Sequence, residues 1–289
     1  SGGMLQWAAF GVGHVLNDLA ACGWFSFYLV YLTHVLLISD VEAGVLLFTG
    51  QVADAVATPI VGLLSDKSNL PCLNGRKFWL LVGYLLVGIS YPMLYQPCFV
   101  CDWMHVDEAR GRMAYLLSVI IVFQFGWAAA QVSHLAMLSE LSTTEHVHAV
   151  LNSTRFGATV CSNLGVFLVA FFLLSSGGEK ITPAFAESFH SLAYAITGIG
   201  AVFSMICFFG VHLPQRAQRH HLRVVGPMKW YSWFVHPDFY QVSTLYMCAR
   251  LMTSVVQVYI QIFILDALSL TSYALALVPC AMYAGQLLA

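Results

Sequence analysis

Asp18 and Asp54 are carboxylates set deep inside long apolar stretches. An ionised group there costs about 2.5–3.5 kcal/mol to insert into a membrane, so it faces a partner or a wet cavity. Counted from the ends of their segments that read as cytosolic below, Asp18 lies eleven residues in and Asp54 ten, which is about 16 and 15 Å of helix. The shared depth makes the pair one candidate cation or proton site. Asp18 has His14 four residues before it and Cys22 four after, while Gln51, Asp54 and Thr58 recur at three- and four-residue spacing. Each set therefore occupies one helical face. The competing reading is structural, because polar groups also hold membrane helices together.

Arg250 supplies the opposite charge. It stands eleven residues after Phe239, the offset that separates Asp18 from Trp7, and Ser254, Gln257 and Gln261 follow it at helical spacing. A guanidinium in that place can pair with the carboxylates. It can also grip a substrate carboxylate through two hydrogen bonds while Asp18 or Asp54 attracts an amine, which suits an amino acid. Gln124, Gln131 and His134 offer further hydrogen-bonding groups on the fourth segment; His134 reads as a satisfied structural histidine or as a proton relay, and Arg155 as a snorkelling cation. Cys98 and Cys101, with His105 behind them, are too few for a metal site and fit either a disulfide or two thiols. No glycine-rich phosphate cradle and no nucleophile–base grouping at a common depth points to an enzyme.

Holding these groups requires membrane helices. Charged residues make up 9% of the 289 and hydrophobic ones 59%, and the mean hydropathy is +0.76, which excludes an ordinary soluble domain. A net charge of −2 leaves no basic patch for nucleic acid. A span needs about 20 apolar residues. Segments 7–32, 41–64, 78–96, 113–139, 150–175, 190–213 and 239–265 meet that, and an eighth begins at 271. Lys67, Arg76, Lys77, Arg216, Arg219, Arg223 and Lys229 fall on one side of the membrane, against Arg110, Arg112 and Lys180 on the other, so the first side and the N-terminus read as cytosolic. Trp7, Trp79, Trp103 and Trp230 read as interface anchors. Residues 1–213 form a six-helix bundle in this reading, 214–237 a basic cytosolic linker interrupted by Gly226-Pro227, and 238–289 the start of a second bundle. This is the layout of a transporter built from two parallel repeats. Neither end reads as a natural terminus.

Several strings carry a resemblance. Pro59-Ile60-Val61-Gly62-Leu63-Leu64-Ser65-Asp66-Lys67, followed by Gly75-Arg76-Lys77, resembles the signature between the second and third helices of the major facilitator superfamily, with extra residues between its halves. There Gly62 would admit close helix approach, and Asp66 with the cations Lys67, Arg76 and Lys77 would form a charge latch at the cytosolic gate. Phe10-Gly11-Val12-Gly13 leading to Asn17-Asp18, and Ala53-Asp54-Ala55 leading to Thr58-Pro59, look like the glycoside-pentoside-hexuronide:cation symporters. That resemblance implies a coupling cation at Asp54 and sugar at Asp18. The chain departs from it at Thr58 and Gln131, which stand at or near places where acids are expected. Gly13-His14-Val15-Leu16-Asn17-Asp18-Leu19, Gly50-Gln51-Val52-Ala53-Asp54, Phe123-Gln124-Phe125-Gly126-Trp127, Gln131-Val132-Ser133-His134-Leu135 and Phe239-Tyr240-Gln241-Val242 are similar to the superfamily's lysosomal and melanosomal cysteine-transporter group. That similarity implies cysteine import in lysosomal or melanosomal membranes.

The expectation is an all-α membrane protein of the major facilitator fold. It comprises the N-terminal six-helix bundle and the first one to two helices of the C-terminal one. Its expected partners are a small-molecule solute and the lipid bilayer, its function alternating-access symport without enzymatic chemistry, and it is expected to need no cofactor beyond a coupling proton or sodium ion. Asp18, Asp54, Arg250, Gln51, Thr58, Gln131, His134 and Gln257 are the expected binding residues. A sugar:cation symporter, with the plasma membrane as the other location, is the alternative; a lysophospholipid carrier, a receptor or a scaffold stand behind it.

Overall fold

The computed structural model describes residues 2–68, 74–98, 101, 108–142, 144–175, 180–213 and 230–288. The linker 214–229, Trp103 and His105 lie outside them. Backbone polar groups in lipid have to be satisfied within their own segment, and the apolar segments are accordingly helical.

The first span is one continuous helical rod with three changes of pitch. Helix α1 (Gly2–Gly11) tightens into a 3₁₀ turn at Val12–His14, α2 (Val15–Gly23) follows, and π turns occupy Trp24–Tyr28 and Tyr31–Val35. Such changes of pitch re-aim side chains and are common near functional groups. Here they flank His14, Asp18 and Phe25. The second span is α3 (Asp40–Lys67), opened by a capping box in which Ser39 and Glu42 satisfy each other's backbone amides. Then come α4 (Gly75–Leu94), α5 (Glu108–Leu141), α6 (Glu145–Ser175), α7 (Ala186–Gly210), α8 (Pro237–Ile262) and α9 (Ala274–Leu288). Among the described residues six helices are long and apolar enough to cross a membrane, the broken first span standing apart from them.

Small residues set the closest packing, because lipid gives helices no hydrophobic reason to associate and van der Waals contact has to serve. A Cβ at Gly83 of α4 would run into the Ala130 backbone of α5, and one at Gly126 of α5 into Leu86. Gly62 plays no such part. A Cβ there would only touch Val132, at 4.0 Å, so the close approach expected of it falls to Gly83 and Gly126. At the end away from the linker, Tyr28, Tyr31, Tyr91, Tyr95 and Phe189 form an aromatic plug, tied by the Tyr31 hydroxyl donating to the Tyr95 carbonyl at 2.8 Å and the Tyr95 hydroxyl to that of Gly23 at 3.1 Å. Cys98 and Cys101 are joined by a disulfide.

The first and seventh spans repeat each other at a fixed offset. The π turn Tyr31–Val35 is matched by Phe263–Ala267. The positive-φ Leu37 (54°) is matched by Ser269 (48°), and the bonds Leu36 N to Tyr31 O and Ile38 N to Leu32 O are matched by Leu268 N to Phe263 O and Leu270 N to Ile264 O. Equivalent residues lie 232 apart, and one equivalent pair, His34 and Asp266, bonds across the two spans at 3.3 Å. The same offset carries Asp18 onto Arg250.

Candidate functional site

Asp18 and Asp54 have different surroundings. Asp18 is buried, one oxygen 2.8 Å from His14 Nδ1 and the other accepting the Thr159 hydroxyl of α6 at 2.8 Å. Asp54 is half-buried on α3 and accepts the Thr58 hydroxyl at 3.4 Å. Common depth did not make them one cluster, because helical phase sends Asp18 into the bundle and Asp54 along the face of α3 toward α8.

Arg250 belongs with Asp54. Its guanidinium lies over the Phe25 ring, 5.3 Å from the centroid, and close enough to Asp54 for its charge to act on that carboxylate. The ion pairs among the described residues are Arg76–Asp66 and Arg76–Glu140, with His14–Asp18 and His34–Asp266 as hydrogen-bonded imidazole–carboxylate contacts, and Arg250 is in none of them. It lines a cavity of about 480 Å³ with Gln51, Ser254, Trp24, Phe25 and Tyr246. The π turn at Trp24–Tyr28 holds the two aromatic walls. A guanidinium already stacked on a ring keeps its fork of donors available for a planar anion.

The helical face proposed to continue from Arg250 divides. Ser254 stays with Arg250, whereas Gln257 and Gln261 open on a second cavity of about 340 Å³ beside Ser26, Phe167 and Tyr283. Gln257 donates to the Tyr283 hydroxyl at 2.5 Å, and Gln261 is fully buried with its amide atoms unpartnered. The expected neighbours on α5 also turn inward. Gln131 accepts the Trp127 indole at 2.8 Å, and Gln124 is buried at the packing of α5 on Gly50 of α3.

His134 is fully buried. Its Nε2 bonds the Phe10 carbonyl at 2.9 Å, its ring stacks on Phe10 at 4.3 Å, and His14 lies 5.6 Å away between ring centroids. Asn17 donates to the Trp127 carbonyl at 3.1 Å, and Arg155 on α6 is half-buried with its Nε buried and unpartnered among the described residues. Sequence reasoning gave His14, Asn17 and Thr159 no role of their own. His14 alone carried a signal, its i,i+4 spacing to Asp18.

At the linker end, Arg76 is the cation that engages Asp66, at 3.0 Å, and it also meets Glu140 of α5 at 3.1 Å and the Ala136 carbonyl. Asn74 caps α4 and donates to Glu140 at 3.1 Å. Lys77 turns instead to the Val211 carbonyl at 2.8 Å and the Phe208 ring, while Lys67 is exposed and in none of these pairs. Gly75 is needed because a Cβ there would strike the Ser68 carbonyl. Glu140 went unread, since its partner lies 64 residues away in sequence.

A helical bundle of this topology with polar groups enclosed between spans defines the class. The family model described as "MFS/sugar transport protein" matches residues 9–234, and the chain belongs to that family of integral membrane transporters. Over 300 residues it is 36% identical to Major facilitator superfamily domain-containing protein 12 of Mus musculus, covering 95% of this chain and 62% of that protein. The same-named protein of Homo sapiens is 34% identical over 300 residues, with the same coverage. The Putative glycoside/cation symporter YagG of Escherichia coli is 28% identical over 207 residues, 68% of this chain and 42% of that one. The chain thus spans 62% of the length of the first two relatives.

Proposed function

We propose that the full-length protein is a proton-linked secondary transporter of a small zwitterionic solute, cysteine first, working by alternating access with its N-terminus in the cytosol. Residues 1–213 act as one rocking body, 214–237 as its linker, and 238–289 as the start of the second body. The observation that carries the reading is Arg250, without an ion pair among the described residues, over a cavity walled by Trp24, Phe25 and Gln51 with Asp54 within reach of its charge. Arg250 receives the solute carboxylate through its two-pronged face. Asp54, held by Thr58, draws the ammonium group, and the aromatic wall excludes water. Gln51 hydrogen-bonds the solute. Gln257 lines the neighbouring cavity, Gln131 and His134 hold the packing behind the site, and Arg76, through Asp66 and Glu140, forms the cytosolic gate with Gly75 at the turn. Cysteine, and a lysosomal or melanosomal membrane, come from the resemblance of the five strings described above.

Sugar:cation symport is the second reading, favoured by the printed name of the E. coli relative and by the indole of Trp24 in the cavity wall. Vesicles bearing the full-length protein, given labelled cysteine or sugars with and without a pH gradient, separate the two. Gradient-stimulated cysteine uptake that analogues lacking the carboxylate inhibit poorly is expected. Sugar uptake without cysteine uptake overturns the first reading.

A further inference from the structure

The buried cluster around Asp18 holds two imidazoles whose ring nitrogens are only half used. His14 Nδ1 lies 2.8 Å from Asp18 Oδ1, and the other carboxylate oxygen is occupied by Thr159. A carboxylate only accepts, so with Asp18 ionised Nδ1 carries the proton, and neutral His14 presents Nε2 as a lone pair. His134 is fixed by the same logic. Its Nε2 lies 2.9 Å from the Phe10 carbonyl, also an acceptor, so Nε2 is protonated and Nδ1 is the lone pair. Among the described residues the two remaining atoms, His14 Nε2 and His134 Nδ1, are both buried without a partner, on rings whose centroids lie 5.6 Å apart. Two enclosed acceptors that neither ring supplies with a proton are an incomplete network, and leaving both unmade is unfavourable.

One proton completes it. We propose that His14 carries the coupling proton on Nε2, sharing it toward Nδ1 of His134 directly or through one water, with Asp18 as its fixed counter-ion. This deepens the proton-linked reading above and rests on it. The proton arrives from hydronium on the acidic side, one O–H bond breaking to leave water as the N–H bond forms on the Nε2 lone pair. It converts the imidazole–carboxylate pair from a net charge of −1 to a neutral imidazolium–carboxylate pair, and it leaves by the same atom to water on the other side. The loaded pair is thus uncharged overall and the empty pair is an anion in a poorly solvated bundle, which gives the two states different preferences for solvent.

The surroundings select His14 as the carrier. His14 closes the 3₁₀ turn Val12–His14, where the chain is packed on α5, α6 and α7. The titratable and charged groups about it are Asp18 on its own span, His134 from α5, Arg155 from α6, Cys207 from α7 beside Gly13, and Tyr84 from α4, whose hydroxyl donates to the Gly13 carbonyl at 2.5 Å. The Arg155 charge acts on His134, whereas His14 alone touches a carboxylate, so an added proton resides on His14 and His134 serves as its acceptor.

A pH jump applied to the full-length protein on a solid-supported membrane, with no substrate present, reads the charge that enters as the site loads. A step from about pH 7.5 to about 5.5 crosses the range in which histidines titrate. A transient current is expected from the unaltered protein, and at least an approximately tenfold smaller one from His14→Gln, with the exposed His146→Gln as the unchanged control. His134→Phe keeps a ring against Phe10 but removes the acceptor. It should reduce the transient severalfold and decides the matter if His14→Gln fails to fold. A transient of full size in His14→Gln, or one that Asp54→Asn abolishes while His14→Gln leaves it intact, overturns the proposal. Because no substrate is used, that failure is distinct from a failure of cysteine uptake.

Discussion

Arg250 has little of the support that an arginine in a membrane usually recruits. Among the described residues its partners are the face of Phe25 and the field of Asp54, and its helix is largely exposed along its length. A planar fork resting on an aromatic ring is oriented before a ligand arrives, so less side-chain freedom is lost on binding. Arg250→Lys keeps the charge and loses the fork. If cysteine is held as proposed, this variant should lose about tenfold in uptake at low substrate concentration, and Arg250→Ala about tenfold to a hundredfold, consistent with roughly 1.5–3 kcal/mol for a charge-assisted bond. Concentration-dependent uptake into vesicles measures this. Equal uptake by all three proteins would remove Arg250 from the site. At this scale the sequence was a good guide to residue type and a poor one to grouping. Spacing along one helix revealed His14 beside Asp18, but the Thr159 hydroxyl that completes the Asp18 shell comes from 141 residues away and leaves no local mark.

The helix ends and helix contacts divide along similar lines. The capping box of α3 is local chemistry, whereas the close approach expected at Gly62 falls to Gly83 and Gly126, which only the packing of α4 on α5 shows. Arg76 is different, because one guanidinium ties α3 through Asp66 to α5 through Glu140. The two acids are not equivalent, the Glu140 side chain being 4% exposed and that of Asp66 60%. Removing the cation from beside the buried carboxylate is costly, whereas the exposed pair is screened by water. Arg76→Ala should therefore destabilise the detergent-solubilised protein by about 1–3 kcal/mol, against less than about 1 kcal/mol for Asp66→Asn, as followed by thermal unfolding. Equal losses would show that the α3 contact, not the α5 one, holds this end. Gly83→Leu should lower the same transition by about 1–3 kcal/mol or more, since the Ala130 backbone leaves no room for a side chain.

Across the whole molecule the dominant relation is the repeat of the first span in the seventh. His34 and Asp266 are equivalent residues 232 apart that meet each other, so this contact joins the two repeated spans at the end away from Arg76. If the full-length protein works by alternating access as proposed, it has to break this contact when that side opens. Asp266 is well exposed, so the pair is worth at most about 1 kcal/mol, enough to change a near-balanced equilibrium severalfold without unfolding anything. His34→Ala should shift the population toward forms open on that side, as read by distances between spin labels placed on the two spans. An unchanged distance distribution would show that the aromatic plug of Tyr31 and Tyr95 closes this end by itself.

Composition and hydropathic length determined by themselves that the chain crosses a membrane as helices, because lipid offers the backbone no other partner. Counting along those helices placed Arg250 opposite Asp18 in the repeat, since a helix converts residue number into depth. Azimuth was beyond that count. Which way each carboxylate turns depends on where a 3₁₀ or π turn shifts the phase and on which neighbouring helix lies on that side. Only the tertiary structure therefore separated Asp18, joined to His14 and Thr159 within the bundle, from Asp54, left with Thr58 and Arg250 beside the open cavity.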